Sequence, residues 1–271
     1  MSNILPCLLF ALLGLIVGGL LNVLADDLPR RERPGAPVCD RCRRPRPWYG
    51  WLALSGLLLA RGRCTHCGAR LPLRHLLVEI ATALLFAFLW QRYGPSTRLF
   101  FETLYTAILV LLFVTDMEHR LVLHVTTLPA IVLAAAGSLF LSRENYNWRL
   151  ALLGGGIGFL IVWAMYLAGH LFVRLMEKLR GHRISEVALG FGDVTLSTFI
   201  GLMVGFPGIV FALLLGVLLG GIGGGLYWLV RAVARRSYSA FSAIPYGPFL
   251  IAAGWVVMIW GDEIFLWYTV G

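Results

Sequence analysis

Eight apolar runs divide the chain, and most are long enough to cross a lipid bilayer as a helix. A helix needs about 20 mostly apolar residues to span the hydrocarbon core. Hydrophobic residues make up 59% of the 271 residues and charged residues only 14%, against about 25% charged residues in soluble domains. The pattern predicts an all-α polytopic membrane protein, and it excludes a soluble globular enzyme, a disordered chain and a disulfide-rich secreted domain. The predicted spans are residues 4–24, 75–92, 99–116, 121–141, 150–173, 191–206, 208–230 and 244–261.

The basic residues determine the predicted orientation in the membrane. In an eight-span arrangement, 19 of the 23 basic residues fall in loops on one side, and eleven of these belong to the first loop, residues 25–74. Loops rich in Lys and Arg stay in the cytoplasm, so we predict that the first loop is cytoplasmic and that both termini lie outside. The net charge of +9 then indicates membrane topology and contact with lipid headgroups, not nucleic-acid binding.

The first loop carries two CxxC pairs, Cys39 with Cys42 and Cys64 with Cys67. Two such pairs at this separation are typical of a four-cysteine zinc site, which leaves no open position for a catalytic water. A stable disulfide is not expected because the cytoplasm is reducing. We therefore predict a structural zinc ion; reduced thiols without metal, or a redox pair, are the alternatives. The apolar residues 48–59 between the pairs are predicted to form an interfacial amphipathic helix.

Acidic side chains in predicted membrane helices are candidates for function because burying them is costly. The span 99–116 runs inward and ends at Asp116, whereas the span 191–206 runs outward and begins near Asp193. Both aspartates are therefore predicted to lie at the cytoplasmic edge of the membrane. Two carboxylates held close together share one proton, as in aspartic proteases. Separate solvated aspartates, a substrate-binding pair and a proton relay are the alternatives. The four candidate acids are Glu79, Glu102, Asp116 and Asp193.

Asp193 belongs to a GxGD motif, Gly190-Phe191-Gly192-Asp193. The glycines allow the backbone to come close beside the carboxylate. Together with the second aspartate and the cysteine loop, this motif resembles the bacterial prepilin peptidase family of type IV leader peptidases. The resemblance covers nearly the whole chain. It includes the first span, the four cysteines, Arg61-Gly62-Arg63-Cys64, Glu79, Thr115-Asp116-Met117-Glu118-His119-Arg120 and the GxGD motif.

The resemblance implies a peptidase that cleaves prepilins and pseudopilins after the glycine that ends a basic leader, at the cytoplasmic face of the bacterial inner membrane. It also implies that Asp116 and Asp193 are catalytic and that the four cysteines bind zinc. The new N-terminal residue would further be methylated with S-adenosylmethionine. We place a possible contact with the methyl donor or the substrate at Glu79, for which a buried pair with an arginine is the alternative.

Three parts are predicted: a first transmembrane helix in residues 1–24, a zinc-binding loop in 25–74 and a seven-helix peptidase core in 75–271. Two positions depart from the family pattern. Thr195 stands where a lysine is frequent, and the segment ending at His124 replaces a frequent Pro-Asp pair. Both departures bear on substrate preference and leave the carboxylates in place. The rival function is a proton-coupled transporter that uses the aspartates for binding, but its usual inverted repeats are not visible in the sequence.

Overall fold

The computed structural model describes residues 4–30, 35–39, 41–141, 146–180, 190–233 and 246–270, and in this part the chain is helical without a β-strand. The prediction of an all-α membrane protein is confirmed. A short 3₁₀ helix covers Trp48–Gly50. The α-helices are α1 Ile4–Asp27, α2 Ala53–Ala60, α3 Leu73–Tyr93, α4 Thr97–His119, α5 His124–Gly137, α6 Trp148–Arg180, α7 Phe191–Val204, α8 Gly208–Val233 and α9 Gly247–Val270.

Six of these helices, α1, α3, α4, α6, α8 and α9, are long and apolar enough to cross a membrane. The other two predicted spans are shorter than expected, since α5 and α7 have 14 residues each. At a rise of 1.5 Å per residue each is about 21 Å long, whereas the hydrocarbon core is about 30 Å thick. Each predicted span thus corresponds to a helix, but the span predicted over 121–141 is helical only from His124 to Gly137.

The first compact unit of the chain ends at His119, and its helices α1 and α3 pack against each other through glycines of α1. A Cβ atom added to Gly14 would lie 2.7 Å from the carbonyl oxygen of Thr82, and one added to Gly18 would lie 2.8 Å from Cα of Glu79. Small residues at this spacing let membrane helices approach closely. The buried side chains of α1, α3 and α4 then form one apolar cluster, which contains Leu21, Ala25, Val78, Leu111 and Val114.

The second unit begins at Arg120, and within it α6 and α7 are in backbone contact. A Cβ atom at Gly201 of α7 would overlap the backbone of Gly154 in α6. The Ser197 hydroxyl of α7 donates a hydrogen bond of 3.0 Å to the Gly158 carbonyl oxygen of α6. Helix α7 is almost fully buried from Val194 to Met203. This packing holds the helix that carries the GxGD motif inside its unit.

Replacing Gly14 by alanine tests the contact between α1 and α3. The added methyl group meets backbone atoms, which cannot rotate away, so we expect a loss of about 1–3 kcal/mol in unfolding free energy, as for other overpacked sites. The control is Gly156→Ala in α6, where an added Cβ has no neighbour within 4 Å. Thermal unfolding in detergent should show a lower midpoint for Gly14→Ala and no decrease for Gly156→Ala. Equal midpoints for the two variants would contradict the predicted packing.

Candidate active site and metal centre

The four cysteines of the first loop come together in one cluster. Their sulfur atoms all lie within 4.8 Å of one another. The Sγ atoms of Cys39 and Cys67 are 3.7 Å apart, and those of Cys42 and Cys64 are 3.9 Å apart. A zinc ion about 2.3 Å from each sulfur in tetrahedral geometry requires sulfur separations of about 3.8 Å. The cluster therefore has the ligand type and spacing that a zinc ion needs.

The two CxxC segments fold in the same way. In the first, the N–H of Cys39 donates to the Arg44 carbonyl at 3.0 Å, and in the second the N–H of Cys64 donates to the Ala69 carbonyl at 2.8 Å. The residue after each pair, Arg43 or Gly68, has a left-handed backbone with φ of 55° or 69°. Each segment thus turns back on itself and aims its two sulfur atoms at the other segment.

In the second pair the backbone prepares one thiol, Cys64, for metal binding. The Ala69 backbone lowers the pKa of Cys67, but desolvation and the neighbouring cysteine side chains outweigh this effect and raise that pKa to about 11. The backbone N–H groups of Cys67 and His66 donate hydrogen bonds to the Cys64 sulfur and lower the pKa of this thiol to about 6. Because the thiolate is the form that binds metal, Cys64 is ready to act as a ligand at neutral pH.

We expect the purified chain to hold about one zinc ion per molecule. The double substitution Cys39→Ser/Cys64→Ser removes one ligand from each CxxC pair and should abolish zinc binding, since two sulfur ligands remain. Cys7→Ser in α1 is the control, because this thiol is remote in sequence and forms a weak contact with the Ala87 carbonyl instead. Metal content is measured by inductively coupled plasma mass spectrometry. Full zinc occupancy in the double variant would contradict the assignment.

Glu79 of α3 binds the first turn of α2. Its Oε1 accepts a hydrogen bond of 2.6 Å from the N–H of Ala53, and its Oε2 accepts one of 2.9 Å from the N–H of Leu54. The residue before α2, Leu52, has no capping side chain. The buried carboxylate therefore satisfies N–H groups that the helix itself leaves free. A contact of Glu79 with the methyl donor or the substrate stays a prediction.

Glu79→Ala removes both acceptors and should loosen α2. Hydrogen bonds to a charged group contribute about 1.5–3 kcal/mol, so the Ala53 and Leu54 amides should exchange hydrogen at least about tenfold faster. Glu79→Gln keeps one carbonyl acceptor and should have a smaller effect. Hydrogen–deuterium exchange with peptide mass spectrometry measures both. Unchanged exchange of these amides in Glu79→Ala would show that the carboxylate does not hold the helix.

An ion-pair network lies next to Asp116 in the first unit. Arg74 of α3 pairs with Asp26 of α1 at 2.6 Å and also with Glu118 in the last turn of α4. His75 of α3 approaches Asp26 at 3.2 Å. Asp116 itself lies in the last turn of α4 and is only 4% exposed. The network therefore anchors the end of α4 that carries Asp116, a role of Arg74 that the sequence pattern did not indicate.

Asp193 lies in the first turn of α7, and the motif glycines have different roles there. The carboxylate Oδ2 accepts a hydrogen bond of 3.0 Å from the N–H of Gly190, the residue that caps the helix. A Cβ at Gly192 would lie 2.7 Å from Cβ of Val122, so this position needs glycine for close packing. Thr195 is buried, and its hydroxyl donates to the Gly192 carbonyl at 2.9 Å.

Aromatic side chains from distant parts of the sequence surround the start of α7. Phe191 stacks on His124 with ring centroids 5.7 Å apart and meets Tyr166 edge-on at 6.0 Å. Tyr246, before α9, is close enough to Asp193 for the two to interact electrostatically. These residues come from four separate segments of the second unit, so no local pattern joins them. The aromatic residue inside the GxGD motif was the one available signal.

The predicted site residues divide between the two compact units. Asp116, Glu79 and the cysteines belong to the first unit, and Asp193 with its glycines belongs to the second. Glu102, the fourth candidate acid, is fully buried and pairs with Arg98 at 3.1 Å. The pairing of Asp116 with Asp193 stays a prediction.

These features define the class to which the chain belongs: a multi-pass helical membrane protein with carboxylates at helix ends and a four-cysteine centre. Two family models match it. The Bacterial Peptidase A24 N-terminal domain matches residues 12–93, and the Type IV leader peptidase family matches residues 103–225. The chain belongs to the type IV leader peptidase family, and it is a peptidase.

Curated relatives with names that fit this family are similar to most of the chain. The prepilin leader peptidase/N-methyltransferase of Aeromonas salmonicida is 31% identical over 231 residues, which cover 85% of this chain and 73% of the relative. The protein of the same name from Pseudomonas putida is 31% identical, with 95% of this chain and 91% of the relative covered. That of Pseudomonas aeruginosa is 30% identical, with 93% and 90% covered. No solved structure matches the chain.

Proposed function

We propose that the chain is an aspartic endopeptidase of the bacterial inner membrane that removes the leader of prepilins or pseudopilins at the cytoplasmic face. The relatives carry the name prepilin leader peptidase/N-methyltransferase, which supports prepilins as the substrate class. Six apolar helices support a multi-pass membrane location. The proposal assigns the chemistry to Asp116 and Asp193.

One observation carries this assignment. Asp116 lies in the last turn of α4, and Asp193 lies in the first turn of α7. The two helices between them, α5 and α6, return the chain to the side from which it left if each crosses the membrane once. An even number of crossings therefore supports a position of both carboxylates at the same membrane face. The distribution of basic residues supports the cytoplasmic face.

Two close carboxylates at a membrane edge can hydrolyse a peptide bond without a metal. Their mutual repulsion keeps one proton on the pair. The ionised carboxylate takes a proton from water as the water oxygen adds to the carbonyl carbon of the scissile bond, and the protonated carboxyl donates its proton to the carbonyl oxygen. The tetrahedral intermediate then collapses: the C–N bond breaks, the leaving amine takes the proton that came from water, and the other carboxylate regains its proton from the intermediate's hydroxyl. We assign neither role to one residue, because a coupled pair titrates as a unit. The hydrogen bond from the Gly190 N–H holds Asp193 in a defined position before substrate arrives.

The position of the aspartates suits the substrate. A prepilin has a basic leader followed by an apolar helix, so its scissile bond enters the site where water meets the membrane. Carboxylates at helix ends can reach such a bond while the apolar segment stays in lipid. The four cysteines of the loop are assigned a structural role, since a four-sulfur site has no position for a catalytic water.

Methylation of the new N-terminal residue is the second activity that we propose, and it is supported by the names of the relatives. S-adenosylmethionine would supply the methyl group. The cavity of about 240 Å³ beside the cysteines includes Arg41, Arg46, Arg63 and Arg70 in its lining, and none of its described lining residues is acidic. This lining does not suit a donor with a sulfonium cation, so we do not place the donor there.

The test is cleavage of a purified prepilin by wild type, Asp116→Asn and Asp193→Asn, with S-adenosylmethionine present. Each substitution should lower kcat/KM by at least about 10²-fold, the usual contribution of a general acid or base. Asp27→Asn makes the same chemical change at a carboxylate that accepts a hydrogen bond from Gly35, and it should retain activity.

Intact mass of the product gives two readings. Loss of the leader reports the peptidase, and an added methyl group reports the second activity. Full cleavage by both aspartate variants would overturn the aspartic mechanism. If no protein cleaves, although circular dichroism shows a native fold, the prepilin is not its substrate.

A further inference from the structure

A cavity of about 410 Å³ lies at the corner between α2 and α3 in the first unit. Its apolar wall is formed by leucines from the end of α2, the following loop and the start of α3. Its polar rim consists of Arg61, Arg63 and Arg70, and none of the described residues that line it is acidic. The leucines are Leu57, Leu71, Leu73 and Leu76. The cavity therefore has an apolar wall of leucine side chains and a positively charged rim of arginines.

The charge on this rim is not compensated by the described part of the protein. Among the described residues, no carboxylate lies within ion-pair distance of Arg61, Arg63 or Arg70. Arg74, a few residues further along, is the contrast because it pairs with both Asp26 and Glu118. The neighbouring cavity of about 240 Å³ shares Arg63 and Arg70, and the described part of its lining has no acid either. An anion is the ligand that this field selects.

The apolar wall continues onto the outer surface of a membrane helix. Leu73 begins α3 and is 77% exposed, while Leu57 and Leu58 of α2 are also exposed. Because α3 is long and apolar enough to cross a membrane, we expect its exposed leucines to meet lipid. A ligand of this cavity can therefore place its hydrocarbon part on α2 and α3 without leaving the bilayer.

The backbone at Arg61 allows a clean test of the rim charge. Arg61 caps α2 at its C-terminal end in a left-handed conformation with φ of 51°, and Gly62 follows at 66°. This conformation is disfavoured for residues with a Cβ, and glycine is the usual choice at this position. Glycine in place of Arg61 therefore removes a side chain from the rim of the cavity and keeps the turn.

We propose that this corner is a binding site for an anionic phospholipid. The phosphate lies among Arg61, Arg63 and Arg70, and an acyl chain lies along the leucines of α2 and α3. Arginine forks match phosphate oxygens well, and basic pockets next to membrane helices are suited to lipid headgroups. Neither Asp116 nor Asp193 lines the cavity, and the proposal does not depend on the proposed peptide cleavage.

Two glycine substitutions test the site with a matched control. Arg61→Gly removes one rim charge. It also places glycine at a left-handed position, which removes backbone strain, so the variant should fold at least as stably as wild type. Arg43→Gly removes the same charge and relieves the same kind of backbone, with φ of 55°, but Arg43 lines neither cavity. Any difference in lipid binding between the two variants therefore reports the site and not the net charge.

The measurement is native mass spectrometry of the full chain in detergent, titrated with dioleoyl phosphatidylglycerol or dioleoyl phosphatidylcholine. Wild type and Arg43→Gly should bind phosphatidylglycerol more tightly than phosphatidylcholine. Arg61→Gly should weaken phosphatidylglycerol binding about fivefold, the effect of about one basic residue at an anionic surface. Arg63→Gln should act in the same direction.

Three results would overturn the proposal. Equal weakening by Arg43→Gly and Arg61→Gly would mean that the loop attracts lipid through diffuse charge. Equal binding of the two lipids would mean that the cavity recognises the acyl chains and not the anionic headgroup. Full displacement of phosphatidylglycerol by inorganic phosphate at matched concentration would mean that the corner binds free anions and not a lipid.

Discussion

The hydrogen bonds between Glu79 and the first turn of α2 join the membrane part of the first unit to its cysteine loop. Glu79 is buried in α3, where an ionised carboxylate is costly unless its oxygens are satisfied. The Ala53 and Leu54 amides supply that satisfaction. Because α2 lies between the two CxxC pairs, the Glu79 carboxylate links the segment that carries the cysteines to the membrane helix α3. The loop is therefore fixed by the cysteine cluster and by its contact with α3.

Ion pairs balance other charged groups in the helices of this unit. Arg74 pairs with Asp26 and Glu118, and Glu102 pairs with Arg98. Each pair joins either two helices or two turns of one helix. Polar groups are thus used to fix helix ends, while glycines in α1 let α3 come close enough for these pairs to form. Close packing of α1 and α3 and the ion pair between Arg74 and Asp26 therefore depend on each other.

The sequence was sufficient for features that depend on local composition. Apolar runs identified the helices, and CxxC spacing identified the four sulfur atoms that the structure brings together. It was insufficient where the partner is distant or belongs to the backbone. Nothing in the pattern showed that Glu79 accepts from amides 25 and 26 residues away, or that Phe191 stacks on His124. Helix α5 was also predicted too long, because its apolar flanks are loop residues and not helix.

The shortness of α5 has a consequence for the bilayer around it. Several of its apolar side chains are exposed, including Val125, Leu128 and Val132. Where these side chains meet lipid, a helix of about 21 Å would border a hydrocarbon layer of about 30 Å. Such a hydrophobic mismatch is relieved when the adjoining lipid thins. The segment that leads into α5 contains Val122, which packs on Gly192 beside Asp193. A change in membrane thickness at α5 would therefore be transmitted to the residues next to this aspartate.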